Sequence, residues 1–483
     1  MDENMNITAT PAEENKPEEV LLLTDSAENA AADEAAAPDT DTAEPAPEAS
    51  EETSAGTASS DISSDVSAVT ADDDTAPDDG KKDALSGKDI TSYTASLWKY
   101  KDIPQDEPEP FPEYLTLSEK YEGSEIIGAR VRGKKHKHEG TNCDDWFEAA
   151  CEGNITFIAV SDGAGSRKFS RIGARESCKA AVGYMKHTFA DIMKDEPDII
   201  SVLSLDLSDE KCMAACRRLA KIVQDSVVKA YNAVENAFYD RVTDSRYSDI
   251  VGRKLDLRDF SATLLVSAVI PLITEKSEKL VISCQIGDGI AALVNTSAEY
   301  DKAVKLMGAP DSGEFSGETE FITSKRLLDG LEARTKLSRG TSDLLILMTD
   351  GVADDYFPNE TRIGCLYLDL LANGILTVKE PVNTDELSAH QLDMIKKLPE
   401  PAEYPWVNDN NVKIALNYTD ELCGSVGIAP EELWDERDII SAAAAAVRDR
   451  MDTDDPAERL RIWLDSYVRR GSFDDRTLVL ALI

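Results

Sequence analysis

Four short apolar runs punctuate the chain, and three of them end in the same dipeptide. Phe157-Ile158-Ala159-Val160-Ser161 leads into Asp162-Gly163, Leu280 to Gly287 into Asp288-Gly289, and Leu344 to Thr349 into Asp350-Gly351. The fourth, Leu478 to Ile483, follows Asp474-Asp475. Apolar runs of this length predict strands buried on both faces. Each brings a carboxylate to a strand end, and the glycine lets the backbone turn sharply or approach a ligand. Elsewhere the period is helical. Leu219, Ile222, Val223, Val227, Ala230, Val234 and Phe238 predict one long helix with a buried stripe. Cys212 and Cys216 continue that stripe as core residues rather than as a metal pair. A second helix is predicted after Ser170, carrying Ile172, Cys178, Ala181 and Met185. A third opens at Asp455-Pro456, runs through Ile462, Leu464 and Val468, and stops at Gly471. The longest apolar stretch, Phe260 to Ile273, is interrupted by Ser261, Thr263, Ser267 and Pro271, so no transmembrane helix is expected.

Composition divides the chain in two. Its 483 residues carry a formal net charge of −42. Residues 1–92 hold 25 Asp+Glu against four Lys and no aromatic residue, the first being Tyr93. So little apolar surface cannot offset the entropy of ordering, and 1–92 reads as a disordered acidic tail. Its one apolar island, Val20-Leu21-Leu22-Leu23, is either a docking motif or a chance cluster. Residues 93–483 hold all 30 aromatics and form the folded part. The acidity argues against nucleic acid and anionic membrane surfaces as partners. The eight cysteines include no Cys-x-x-Cys pair, and no basic, apolar leader follows Met1. The expectation is a cytoplasmic protein with reduced thiols.

A single Asp-Gly after a strand is usually just a turn. Four strands presenting aspartate are different, because adjacent carboxylates repel unless cations neutralise them. With only four histidines and no thiolate pattern, a metal site here would be all-oxygen. That suits Mg²⁺ or Mn²⁺. Two such ions ~3.5–4 Å apart can bind a phosphoryl group and generate the attacking hydroxide.

The order of short motifs then resembles the protein phosphatase 2C family, nearest its bacterial branch. Gly128 to Gly133, His136, Gly140-Thr141-Asn142-Cys143-Asp144-Asp145 and Val160 to Ser166 are similar to its opening motifs. Phe260 to Leu265 resembles its Thr-Thr-Leu strand, and Ile286-Gly287-Asp288-Gly289 its Gly-Asp turn. Thr349 to Asp354 resembles the central Asp-Gly motif, and Ser472 to Thr477 the terminal Asp-Asn-x-Thr motif. The resemblance implies a four-layer α-β-β-α sandwich, two antiparallel sheets flanked by helices. It also implies a metal-dependent Ser/Thr protein phosphatase, working through a hydroxide that bridges two divalent ions without a covalent phosphoenzyme. Asp162 would bridge both ions, helped by the Gly163 carbonyl, with Asp350 and Asp474 on the second ion. The family's paired acid falls on Asp144-Asp145; Asp145 is the stricter match, while a register one residue earlier selects Asp144. Asp288 and Asp354 match the positions that hold a third, weaker metal.

The chain also departs from the pattern. Ala164 stands where animal-type members carry a histidine acid, and Gly140 where the family carries its phosphate-binding arginine. Arg130, Arg132 or Arg167 could substitute, since guanidinium binds phosphate oxygens bidentately. Residues 374–428, rich in proline and containing Asn408-Asp409-Asn410-Asn411, read as an expanded flap insertion. The resemblance implies a phosphorylated protein substrate, a cognate Ser/Thr kinase and a monomer. Two alternatives are a catalytically inactive phosphatase-like module that binds a phosphoprotein, and a small-molecule phosphatase on the same scaffold.

Overall fold

In the computed structural model the apolar runs become the central strands of two antiparallel sheets. Residues 20–21, 99–296, 298, 300–308, 319–376, 453–466 and 473–483 are described. The first sheet contains β1 (Val20–Leu21), β4 (Trp146–Glu152), β5 (Ile155–Ser161), β6 (Leu264–Pro271), β7 (Lys279–Ile286) and β10 (Thr335–Gly340). Their spatial order is β1-β10-β7-β6-β5-β4. The second contains β2 (Tyr114–Tyr121), β3 (Ser124–Val131), β8 (Ile290–Val294), β9 (Val304–Leu306), β11 (Leu344–Met348) and β12 (Arg476–Leu482). Its order is β2-β3-β12-β11-β8-β9.

Helices cover the outer faces. The short α1 (Lys134–Glu139) precedes β4. α2 (Ser170–Asp195) and α3 (Glu210–Arg241) pack on the first sheet, α3 being capped by Asp209, which accepts from the Lys211 N–H. α4 (Asn359–Ala372) and α5 (Pro456–Ser466) pack on the second sheet. The four-layer sandwich explains why the strands are apolar throughout rather than alternating. In β5, Ile155, Phe157 and Ala159 face the helices, while Ile158 and Val160 meet the other sheet. In β11, Leu344, Ile346 and Met348 face the helices, and Leu345 and Leu347 fill the space between sheets. Both faces are covered, so neither can be polar.

Cys212 and Cys216 are buried on α3, and Cys143, Cys151, Cys178 and Cys284 are buried as well. Val20 and Leu21 add to an edge of the first sheet, antiparallel to β10 and opposite Ser338 and Leu337. The rest of the 1–92 tail and the flap expected at 374–428, beyond Leu376, lie outside the described residues, as do Val468 and Gly471. Among the described residues no helix is long and apolar enough to cross a membrane.

Candidate metal centre

Strand register gathers the aspartates at one end of the sandwich. Trp146 pairs with Ser161, setting the start of β4 beside the end of β5. Leu264 pairs with Ile286, and Met348 pairs with both Ile290 and Leu478. Arg476 pairs with Val131. Asp144-Asp145, Asp162, Asp288, Asp350 and Asp474 lie one to two residues beyond these strand ends.

One carboxylate oxygen from each of Asp162, Asp288 and Asp350 lies within 4.8 Å of the others. The charges of Asp145 and Asp474 act on Asp162, and those of Asp474 and Asp354 on Asp350. The Asp144 backbone packs on Gly163, where a Cβ would lie 2.6 Å from the Asp144 carbonyl oxygen. A Cβ on Gly351 would meet the Asp475 carbonyl oxygen at 1.9 Å. These two Asp-Gly glycines therefore permit close approach between loops.

The electrostatics follow from crowding. Burial, then the charge of Asp475, pushes Asp144 and Asp145 each up to about 8. Burial and the charge of Asp350 hold Asp162 well above the usual carboxylate range. Burial, with Asp288 and Asp474 nearby, raises Asp350 to about 7, and Asp354 is raised by burial and Asp288. Asp475 goes the other way. Its burial is outweighed by the charge and hydrogen bond of His136 and by two backbone N–H donors. It accepts from Gly133 at 2.6 Å, from Asp144 at 2.5 Å and bonds His136 Nδ1 at 2.8 Å. Burial would lower His136, yet Asp475 raises it to about 10. His136, Asp474 and Asp475 thus form a second cluster with ligand atoms within 4.8 Å of one another. Its core is an ion pair already complete between His136 and Asp475.

Sequence reasoning missed Asp475 as an organiser and the two threonines that orient Asp145. Thr349 and Thr477 donate to Asp145 Oδ2 at 2.9 and 2.7 Å. Thr349 opens the central motif and Thr477 closes the terminal one, which was the available signal. Of the three arginines read as phosphate candidates, Arg130 and Arg132 are enclosed by protein, while Arg167 is half-buried. Arg132 donates to Glu113, the Lys101 carbonyl and the His136 carbonyl. The Arg130 guanidinium carbon sits 4.8 Å from the Trp146 ring centroid and 5.8 Å from that of Phe111.

Two carboxylate oxygens, Asp145 Oδ1 and Asp288 Oδ1, are buried with no hydrogen-bond partner among the described residues. Buried anionic oxygens without donors are costly. A hard divalent cation is the partner that such an all-oxygen set fits.

The model for protein phosphatase 2C matches residues 132–389, more than half of the chain. The chain belongs to the protein phosphatase 2C family. The match takes in Asp144, Asp145, Asp162, Asp288, Asp350 and Asp354. Asp474 comes later in the chain, just before β12, which lies between β3 and β11. Among solved structures, a bacterial serine phosphatase is 13% identical, covering 77% of this chain and 98% of its own, with a TM-score of 0.32. The serine/threonine phosphatase Stp1 from Staphylococcus aureus is 11% identical, covering 80% and 98%, with a TM-score of 0.31. A serine/threonine phosphatase of S. agalactiae is 11% identical, covering 74% and 99%, with a TM-score of 0.33. Comparison with curated proteins finds no match.

Proposed function

We propose that this chain is a metal-dependent protein serine/threonine phosphatase that hydrolyses phosphoserine and phosphothreonine with two divalent ions, Mn²⁺ or Mg²⁺. The observation that carries the reading is the convergence of Asp162, Asp288 and Asp350 from three loops, with the charges of Asp145 and Asp474 acting on them and two buried oxygens left without donors. Asp162, the Gly163 carbonyl and the Asp144-Asp145 pair would hold one ion. Asp162, Asp350 and Asp474 would hold the other, and Asp288 with Asp354 a third, weaker one. When bound, such ions polarise a phosphoryl oxygen and acidify water at neutral pH.

The chain's own residues position this chemistry. Thr349 and Thr477 fix one oxygen of Asp145 and leave the other free. Asp475 draws the Gly133, Asp144 and His136 segments onto one carboxylate, so the paired acid and Asp474 are held from the same point. Ala164 offers no proton to the leaving oxygen.

The test is phosphate release from a phosphothreonine peptide with Mn²⁺ or Mg²⁺, with chelator, and with Asp162→Ala or Asp350→Ala. Loss of release in each supports the reading. Undiminished release in either variant sinks it, and no release from the native chain favours the inactive, phosphoprotein-binding module. We place the enzyme in the cytoplasm as a monomer, opposed by a Ser/Thr kinase and without nucleic-acid or membrane partners. Residues 1–92 and the flap at 374–428 would be appendages to a catalytic domain at 93–483.

A further inference from the structure

A sheet edge presents a row of unpaired backbone N–H and C=O groups, which folded proteins blunt or cover. The second sheet ends on β2 and β9. β9 is three residues long, and β2 sets Ser118, Glu119 and Lys120 in solvent. The first sheet ends on β4, which carries Glu148 and Glu152, and on β1, beneath which lies β10. β10 is not blunted by length, proline or a bulge. It pairs with β7 at every residue from Thr335 to Gly340. Leu337 and Ser338 are both buried, so its two faces are covered and its outer edge is where pairing can be added.

That edge is taken by the tail. Val20 pairs with Ser338 and Leu21 with Leu337, antiparallel. The pair belongs to Val20-Leu21-Leu22-Leu23, the apolar island of residues 1–92. A chance cluster in an acidic tail has no preferred seat, whereas this one is in register on a strand. The charges match as well. Glu18 and Glu19 precede the island, and Asp25 and Glu28 follow it. β10 carries Lys336 and Arg339 and no acid, in a folded part that holds half of the net −42. Arg339 is committed to Glu278 and to the carbonyls of Leu203, Ser204 and Leu205. The side chain of Lys336, half-buried, makes no hydrogen bond or ion pair with the described residues. Lysine on an edge ordinarily discourages strand addition, but it suits a strand flanked by carboxylates.

We propose that the outer edge of β10 is a strand-docking site and that its occupant is residues 18–23 of this same chain, which fasten the acidic tail to the first sheet. Main-chain pairing supplies the affinity, and an acid-flanked apolar run on a basic strand supplies the selectivity. Because the segment is tethered, docking is set by effective concentration and not by protein concentration. The site owes nothing to the metal centre, so it stands or falls independently of the phosphatase reading.

Hydrogen exchange of the full chain, read by mass spectrometry on fragments covering residues 18–23 and 335–340, tests the proposal. Both fragments should be protected, and equally so after about a hundredfold dilution of the protein. Alternate N–H groups of β10 face β7 and its outer neighbour, so losing the outer strand should free about half of them. Leu21→Pro removes a donor from the docking strand and changes nothing in the folded part. It should speed exchange in both fragments by about tenfold while leaving fragments of β5 and β11 unchanged. Leu21→Val should keep the protection, and Ala31→Pro, outside the island, should match the native chain. Unchanged exchange at 335–340 in Leu21→Pro would overturn the proposal, as would an equal loss in Ala31→Pro. Protection that disappears on dilution would overturn it too, because the occupant would then be a second copy of the chain.

Discussion

Asp475 keeps its charge where Asp144, Asp145, Asp162 and Asp350 are pushed toward neutrality, because it alone of these has three donors. Removing it strands a buried imidazolium. Asp475→Ala is therefore expected to cost about 3–5 kcal/mol of unfolding free energy, read from urea denaturation. A loss under about 1 kcal/mol would show that the pair holds nothing together. Gly351→Ala places a methyl group where the Asp475 carbonyl oxygen stands, so the Asp350 loop must move. Divalent ions should then no longer raise its melting temperature, and an undiminished rise would contradict the packing. The aspartates that follow apolar runs were legible in the sequence because a strand end and its Asp-Gly are neighbours. The pairing of Asp475 with His136 was not, since 339 residues separate them and only the adjacency of β3 and β12 unites them.

At the scale of elements, the apolar runs were the most readable part of the chain. Burial on both faces imposes a continuous pattern, and length then separates strand from helix. The approach to β2 was not readable, because it has no period. Residues 99–113 are held by individual polar contacts. Phe111 donates its N–H to Asn142 at 2.8 Å, and Arg171 binds Glu107. Glu109 accepts from Arg175, Arg241 and Tyr247. Burial alone would raise Glu109, but the hydrogen bonds from Arg241 and Tyr247 bring it down to about 2. A carboxylate with a lowered pKa contributes stability that is present above its ordinary range and lost as pH falls through the folded value. Glu109→Gln should cost about 1–3 kcal/mol at neutral pH. Its urea midpoint should fall less steeply than that of the native chain between pH 4.5 and 2. Parallel acid profiles would show that this network does not tie the segment to α2 and α3.

For the whole molecule, charge is the governing quantity. Half of the net −42 lies in residues 1–92, and the other half belongs to the part that carries the aspartate cluster. In metal-free protein, Asp144 and Asp145 near 8 and Asp350 near 7 hold protons that the unfolded chain has released. Their contribution destabilises progressively as pH rises from about 4 to 8. His136, raised to about 10, adds stability that is fully present below about 6.5 and fades as pH rises toward 10. The signs agree, so in chelator the melting temperature should fall between pH 6 and 8. Mg²⁺ or Mn²⁺ should reverse the fall, because ions that bind only the folded state stabilise it. A metal-free melting temperature that climbs over this range would mean that the carboxylates do not share one site.

The most direct measurement of that site is the initial rate of phosphate release from a phosphothreonine peptide, followed across a Mg²⁺ or Mn²⁺ titration in the native chain and in Asp350→Ala. The expected result is no release in chelator and a saturable rise with metal. The variant should be slower by more than about a hundredfold at any ion concentration. Equal rates with and without metal, or equal rates in the two proteins, would contradict a divalent-metal phosphatase centre at the convergence of Asp162, Asp288 and Asp350.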